Sequence, residues 1–382
     1  MEQRPQLVIL TTAFYPHVGG AEMAVQAILP QLSTHLDCTV VTARLRADLP
    51  ARDFFAGVPV IRVGIGNPKL DKLLLMFFGW WYVQRVHKKN TPIGVWAIMA
   101  SYAGMSAFIT NRLLKIKYAL TLQEGDDLRI VNKRVARVRI IFAQIFKRAV
   151  GIQAIASFLA QWAKTFGPLM REPVVIPNGV SVSDFNITPE NRKDWRRDVR
   201  TKLGIPDSAS TIVTVSRLVT KNGVQDLISA LTDLPDTHLI IVGDGLLRES
   251  LGQAAAAFAG RVHFVGTADR AKILKYAAAS DIFCRAALSE GQGIVFLEAM
   301  AMGLPVVATK VGGIPETVVS GTGILVLPQQ VHELAAALRQ IQSDPLLAAQ
   351  LVAAAQKQVQ LFDWSILAPQ IDEWITKTVF DV

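Results

Sequence analysis

Cysteine is nearly absent from these 382 residues: there are two, Cys38 and Cys284, each inside an apolar, strand-like run. A pair so placed reads as buried free thiols in a reducing compartment, which excludes a disulfide scaffold and offers no thiol nucleophile. The six histidines, His17, His35, His87, His238, His263 and His332, have no ligand-like spacing. No metal centre is readable from them, and no metal or other cofactor is expected. The N-terminus, MEQRPQLVILTTAFYP, lacks the long apolar core and small-residue cleavage site of a secretory leader and enters a strand pattern directly, so a cytoplasmic location is expected. RNP, KH and helix-turn-helix patterns are missing, and no strand alternates aromatic with basic residues, which argues against nucleic acid as the partner.

Acidic residues are missing between Leu128 and Val150, where Arg129, Lys133, Arg134, Arg137, Arg139, Lys147 and Arg148 interleave with Ile130, Val138, Ile141, Phe142, Ile145 and Phe146. The spacing predicts one amphipathic basic helix. Residues 1–180 hold 22 Lys+Arg against 10 Asp+Glu, and the remainder holds 18 against 21. An anionic partner or surface for the first half follows. Long apolar runs are short of membrane length: Leu73 to Val83, LLLMFFGWWYV, has eleven residues where about 20 are needed to span a bilayer. Flanked by Lys69, Lys72, Arg85, Lys88 and Lys89, it reads either as an anchor in the interface of an acidic membrane or as a helix of the first core.

Hydrophobic residues make up 51% of the chain, ample for two cores at this length. Short apolar runs ending in turn residues alternate with helical patterns, which predicts parallel sheets covered on both faces. The order occurs twice: strands at Leu7–Thr12, Thr39–Ala43, Val60–Val63, Val95–Ala100, Tyr118–Leu122, Gly151–Ala156 and Val174–Ile176, then at Ile212–Ser216, Leu239–Val242, Val262–Val265, Ile282–Arg285, Val306–Thr309 and Ile324–Val326. The expected fold class is α/β with two Rossmann-like, doubly wound domains, 1–178 and 179–364, with the turn Pro177-Asn178-Gly179-Val180 at the junction and a C-terminal helix, 365–382, joining the first domain. Phe362, Trp364 and Trp374 are the candidates for that return packing.

The most informative segment is SEGQGIVFLEAMAMGLPVVAT, Ser289 to Thr309. Glu290 lies in a glycine turn and Glu298 on the helix that follows. Gly291 and Gly293 permit close main-chain approach, and the first amides of the helix beginning near Gly293 lack partners within it and point toward an anion, which makes Gly291, Gln292, Gly293 and Ile294 candidate ligand contacts. Ionised carboxylates only accept hydrogen bonds, so the two acids suit sugar and ribose hydroxyls on either side of a phosphate. A nucleotide-sugar fits.

This segment resembles the donor-site signature of the retaining GT-B glycosyltransferases of the large family four: Glu, seven residues, Glu, then Ala-Met-Ala-x-Gly-x-Pro-Val-Val, here Ala299 to Val307. The resemblance implies two domains facing across a cleft. The first would bind a hydroxyl acceptor, lipid-linked or a polysaccharide precursor, at the inner membrane surface. The second would bind a nucleoside-diphosphate-sugar, which is a substrate and not a cofactor. It also implies that Arg217 and a lysine in Arg-Leu-Val-x-x-Lys-Gly clamp the diphosphate, but here the lysine position is Asn222, so Lys221 is the expected clamp. Gly243 and Gly245, and Gly266, would frame the nucleotide; Gly19 and Gly20 either offer amides to a phosphate or simply serve a turn. Where relatives carry a histidine that contacts the reacting sugar, this chain has Gln123, followed by Glu124 and Asp126 as possible bases or solvated loop acids. A nucleotide-sugar epimerase of the same architecture, or an inactive sugar-nucleotide-binding scaffold, is the alternative.

Overall fold

The structure is a computed structural model that describes residues 4–17, 19–88, 90–258 and 260–380. It divides into two units, Met1–Gly179 with Trp364–Val382, and Val180–Asp363.

The first unit is built on β1 (Gln6–Thr11), β2 (Asp37–Ala43), β3 (Arg52–Phe55), β4 (Val58–Val63), β5 (Ile93–Ile98), β6 (Tyr118–Leu122), β7 (Gly151–Ala154) and β8 (Val174–Val175), in the order β3-β4-β2-β1-β5-β6-β7-β8. Every residue of β1 and β6 is buried, as expected of strands covered on both faces. All pairings are parallel except β3 with β4. The sequence pattern does not disclose β3. It is an exposed edge strand of four residues, joined to β4 through Ala56 and Gly57, both with positive φ (48° and 81°). Such a two-residue turn favours Asn-Gly or Asp-Gly, and Ala-Gly lacks that signal.

The apolar run Leu73–Val83 lies in the helix Pro68–Val86, and neither reading of it holds alone. Asp71, Leu75, Gly79 and Val83, one residue per turn, are buried, and the helix packs on the helix Tyr102–Leu114, while Leu70, Leu73, Phe77 and Phe78 are exposed. Trp80 and Trp81 are half-buried, and the Trp81 ring lies under the Arg85 guanidinium, 3.4 Å from its centroid. Lys89 lies outside the described residues. The basic helix is interrupted: helices Leu128–Val135 and Arg139–Lys147 are separated by a 3₁₀ turn, Ala136–Val138, bracketed by the β-branched Val135 and Val138. Only the second piece buries apolar side chains fully, Phe142, Ala143, Ile145 and Phe146; Ile130, Val138, Ile140 and Ile141 stay exposed.

The helix Trp364–Phe380 packs on Gly20–Leu32 and on β5 and β6. Its buried face is Leu367, Ala368, Ile371, Ile375, Thr378 and Val379, not the half-buried Trp364 and Trp374; Phe362 belongs to the second unit. The last two residues of the expected helix lie outside the described ones.

The second unit holds β9 (Ser210–Val215), β10 (Thr237–Val242), β11 (Val262–Gly266), β12 (Ile282–Arg285), β13 (Val306–Thr309) and β14 (Ile324–Val326), all parallel, in the order β11-β10-β9-β12-β13-β14. Its two ends are stitched together. The Val180 amide donates to the Phe362 carbonyl at 2.9 Å, and the Val182 amide to the Asp363 carboxylate at 2.9 Å.

Asp71 is the polar keystone of the first unit. Fully buried, its carboxylate accepts from the amides of Leu45 (3.1 Å), Ile65 (2.9 Å) and Gly66 (2.8 Å), tying the loops after β2 and β4 to the helix that carries it. Truncating it strands three amides. Asp71→Ala is expected to lower stability by about 2–4 kcal/mol, read as a lower urea midpoint; an unchanged midpoint refutes the assignment.

Candidate functional site

In the second sheet β9 lies between β10 and β12, so the strand order reverses there, and open α/β sheets hold ligands at the carboxyl ends beside such a reversal. The chain leaves β9 through Arg217, which is exposed, into the 3₁₀ turn Thr220–Asn222 and then Gly223, with φ +65°. A Cβ at Gly223 would lie 1.7 Å from the Ala286 carbonyl oxygen, so glycine alone lets this turn rest on the chain leaving β12. The contact is closed by the Leu288 amide donating to the Lys221 carbonyl at 2.7 Å. Lys221 is half-buried beside it.

Asn222, at the position where the resembling pattern has lysine, is buried and structural. Its Nδ2 donates to the Arg217 carbonyl at 2.6 Å, and its Oδ1 accepts from Arg285 Nη2 at 2.6 Å. The same Nη2 lies 2.6 Å from Glu290 Oε2, while Glu290 Oε1 accepts from the Gly291 amide at 2.9 Å. Sequence reasoning missed Arg285. The available signal was a lone cation ending the apolar strand Ile-Phe-Cys-Arg, five residues before Glu290.

Gly293, with φ +88°, precedes the helix Ile294–Ala301, whose first amides have no partners within it. The buried Gln292 gives its carbonyl to Thr317 Oγ1 (3.1 Å), fixing the turn from behind. Glu298, on that helix, is partly buried; desolvation pushes its carboxyl up to about 7 against the pull of the Arg270 guanidinium. Arg270 itself pairs with Asp184. The loops after β9, β10 and β11 are joined, Leu218 N to Asp244 O at 2.9 Å and Gly243 N to Gly266 O at 2.7 Å. One sheet edge thus collects Arg217, Lys221, Gly243, Gly245, Gly266, Glu290, Gly291, Gln292, Gly293 and Ile294, with Glu298 on the helix that follows.

The first-unit candidates stand at the carboxyl edge of their own sheet. Gly19 caps the helix Gly20–Leu32 in extended conformation, φ −162°, with the Glu22 carboxylate against it. After β6, Gln123 Oε1 accepts from Asn178 Nδ2 at 2.9 Å. Asp126 is exposed and paired with Arg134 at 3.3 Å. Glu124 differs from both. It is 6% exposed, one oxygen accepts from the Ala100 amide at 3.1 Å, the other has no hydrogen-bond partner among the described residues, and burial pushes its carboxyl up to about 7. Among the described residues no group of three or more His, Cys, Asp or Glu could hold a metal ion.

Comparison with known proteins bears on this arrangement. The family model described as glycosyl transferases group 1 matches residues 196–358. The GDP-mannose-dependent alpha-(1-6)-phosphatidylinositol monomannoside mannosyltransferase of Mycolicibacterium smegmatis is 34% identical over 398 residues, 97% of this chain and 98% of that protein. A related mannosyltransferase of Corynebacterium glutamicum, named for monoacylated phosphatidylinositol monomannoside, is 35% identical over 209 residues, 51% of this chain; the match spans little more than half, 54%, of that relative. Among solved structures, sucrose-phosphate synthase from Thermosynechococcus elongatus superposes with a TM-score of 0.81 at 20% identity over 100% of both chains. Anabaena HepE in complex with UDP and glucose gives 0.79 at 23% identity, covering 98% of this chain and 100% of that one. The fold is therefore GT-B, and with a relative similar from end to end the chain belongs to the glycosyl transferases group 1 family.

Proposed function

We propose that this protein moves a sugar from a nucleoside-diphosphate-sugar to a hydroxyl of a lipid-linked glycan acceptor, with retention at the anomeric carbon. The second unit binds donor and the first binds acceptor. The observation that carries the reading is Glu290, held by Arg285 in a glycine turn beside the strand reversal, with Glu298 on the following helix. The mannosyltransferase relatives make GDP-mannose the first donor to try, and HepE makes UDP-glucose the second.

In the proposed reaction the bond from the anomeric carbon to the diphosphate oxygen breaks and a bond to the acceptor oxygen forms on the same face. The acceptor proton passes to the departing phosphate oxygen. The protein's share is positioning and charge: Arg217, Lys221 and the amides that open the helix at Gly293 and Ile294 stabilise the leaving diphosphate without any metal, while Gly291 and Gln292 shape the turn and Gly243, Gly245 and Gly266 border the nucleoside. Glu290 accepts from sugar hydroxyls and Glu298 from ribose. In the first unit Gly19, Gly20, Gln123 and Asp126 stand on the acceptor side, where the raised carboxyl of Glu124 is the group able to hold or release a proton near neutrality.

The membrane is the proposed source of the acceptor. No helix among the described residues is long and apolar enough to cross a bilayer. The first unit instead exposes Lys133 and Arg134 at the end of the helix Leu128–Val135, Arg137 in the turn that follows, and Arg139 beside Ile140, which is 84% exposed, on the piece Arg139–Lys147. That piece packs on Tyr102–Leu114, as does the helix exposing Leu70, Leu73, Phe77 and Phe78. Cations above apolar side chains suit an acidic bilayer surface.

Glu290→Ala and Glu298→Ala are each expected to lower transfer at least tenfold while the protein stays folded, since a charge-assisted hydrogen bond is worth roughly 1.5–3 kcal/mol. Near wild-type turnover by a folded double variant sinks the site. Protonated Glu298 loses acceptor capacity, so donor affinity should be full above pH 7 and fall about tenfold per unit below it. Glu298→Gln should flatten that profile; a wild-type profile flat from pH 5.5 to 8 contradicts the ribose contact. Flotation with vesicles of phosphatidylglycerol and phosphatidylcholine should need the acidic lipid and drop when Arg134, Arg137 and Arg139 become Glu. A salt-resistant fraction should disappear in Phe77→Ser/Phe78→Ser. Indifference of the wild type to every vesicle removes the membrane from the proposal.

A further inference from the structure

The network around Arg285 has a role beyond holding Glu290. Position 222 lacks the lysine of the resembling pattern, and the space its side chain occupies is bridged by Asn222 to a guanidinium arriving from the neighbouring strand. We propose that Arg285 is a further diphosphate-binding cation of the donor site, beside Arg217 and Lys221, and that Asn222 is the residue that positions it.

Four observations converge. Arg285 ends β12 on the carboxyl edge, beside the reversal between β9 and β12. It is 9% exposed, so a charge has been drawn into the protein where one carboxylate, Glu290, is its recorded ion-pair partner. Its Nε is buried and has no hydrogen-bond partner among the described residues, an unmet donor in a group that carries five. Asn222 cannot supply charge, but its amide is used at both ends, receiving Nη2 and donating to the Arg217 carbonyl. The side chain at 222 thus links the main chain of Arg217 to the head of Arg285.

The chemistry accounts for the exchange. A buried guanidinium and a lysine ammonium at 222 would repel at the distance that Asn222 Oδ1 now spans, so the site holds one or the other. Arginine with asparagine keeps a positive charge at the diphosphate and adds what lysine lacks, a planar fork that serves Glu290 with one nitrogen and leaves others for phosphate oxygens. The dual contact also explains why the turn at Gly223 must approach β12 so closely: the asparagine side chain is short, and it reaches Arg285 only if the two chain segments touch.

This inference rests on the proposed donor site, and the test separates the two. Binding of GDP and UDP is compared with that of guanosine and uridine by calorimetry, alongside melting. Wild type should prefer diphosphate to nucleoside. If it shows no such preference for either base, both the donor-site reading and this one fall. Arg285→Gln, which keeps hydrogen bonding and removes charge, should weaken diphosphate binding at least tenfold and leave nucleoside binding within about twofold. Asn222→Lys alone should weaken diphosphate binding and lower melting, because two cations then face each other. Asn222→Lys with Arg285→Leu should recover diphosphate binding to within about threefold of wild type. A merely structural Arg285 would lower melting and both ligands alike, and the double variant would be no better than its worse parent. Either result, or an Arg285→Gln protein that binds diphosphate normally, overturns the assignment and leaves the donor site standing.

Discussion

The contact on which the donor-site geometry rests is the touch between the turn after β9 and the chain leaving β12. Parallel strands side by side are about 4.8 Å apart, but their outgoing loops normally diverge toward separate helices. Here Gly223 removes the side chain that would hold them apart, and the Lys221 carbonyl takes the Leu288 amide. Without that closure Asn222 could not span from Arg217 to Arg285, and Glu290 would keep only its own turn's amide. A single absent methyl group therefore determines whether the charges at the reversal act as one site.

Much of this was legible in the sequence. The two runs of strands, the glycine turn and the helix start at Gly293 follow from patterning, because each is set by local chemistry. What escaped shares a cause. The edge strand β3 is short and half-exposed, and its turn uses Ala56 where asparagine or aspartate would have announced it. Arg285 looked like the polar end of a strand, since its partners are 63 residues upstream and five downstream. The basic segment read as one helix because its apolar spacing does not record the break at Ala136–Val138. In the apolar run, tertiary packing turns Trp80 and Trp81 half inward and presents Phe77 and Phe78, which the run's composition does not record. In each case the missing information was non-local.

Two carboxyl groups are kept where they are disfavoured. Glu124 and Glu298 each have an ordinary value near 4.5 raised to about 7, with burial the main cause. For a carboxyl raised in the fold, stability is lost as pH climbs from the unfolded to the folded value, which for the fully buried Glu124 amounts to roughly 3 kcal/mol. A neutral side chain of the same shape would remove that cost. Carboxyls shifted by burial cluster at functional sites, and these two stand on the proposed acceptor and donor sides.

The stitch between Val180 and Phe362 has a consequence for how this protein can be taken apart. Both chain ends of the second unit meet within one hydrogen bond, and the segments that lead into it and out of it, through Gly179 and from Trp364, belong to the first unit. The second unit is therefore an insertion, a closed module entered and left at one point. A single nick at either crossing leaves the halves covalently tied through the other. Conversely, the module's ends are near enough to be excised together, or exchanged for the same module of another family member, without moving a strand in either sheet.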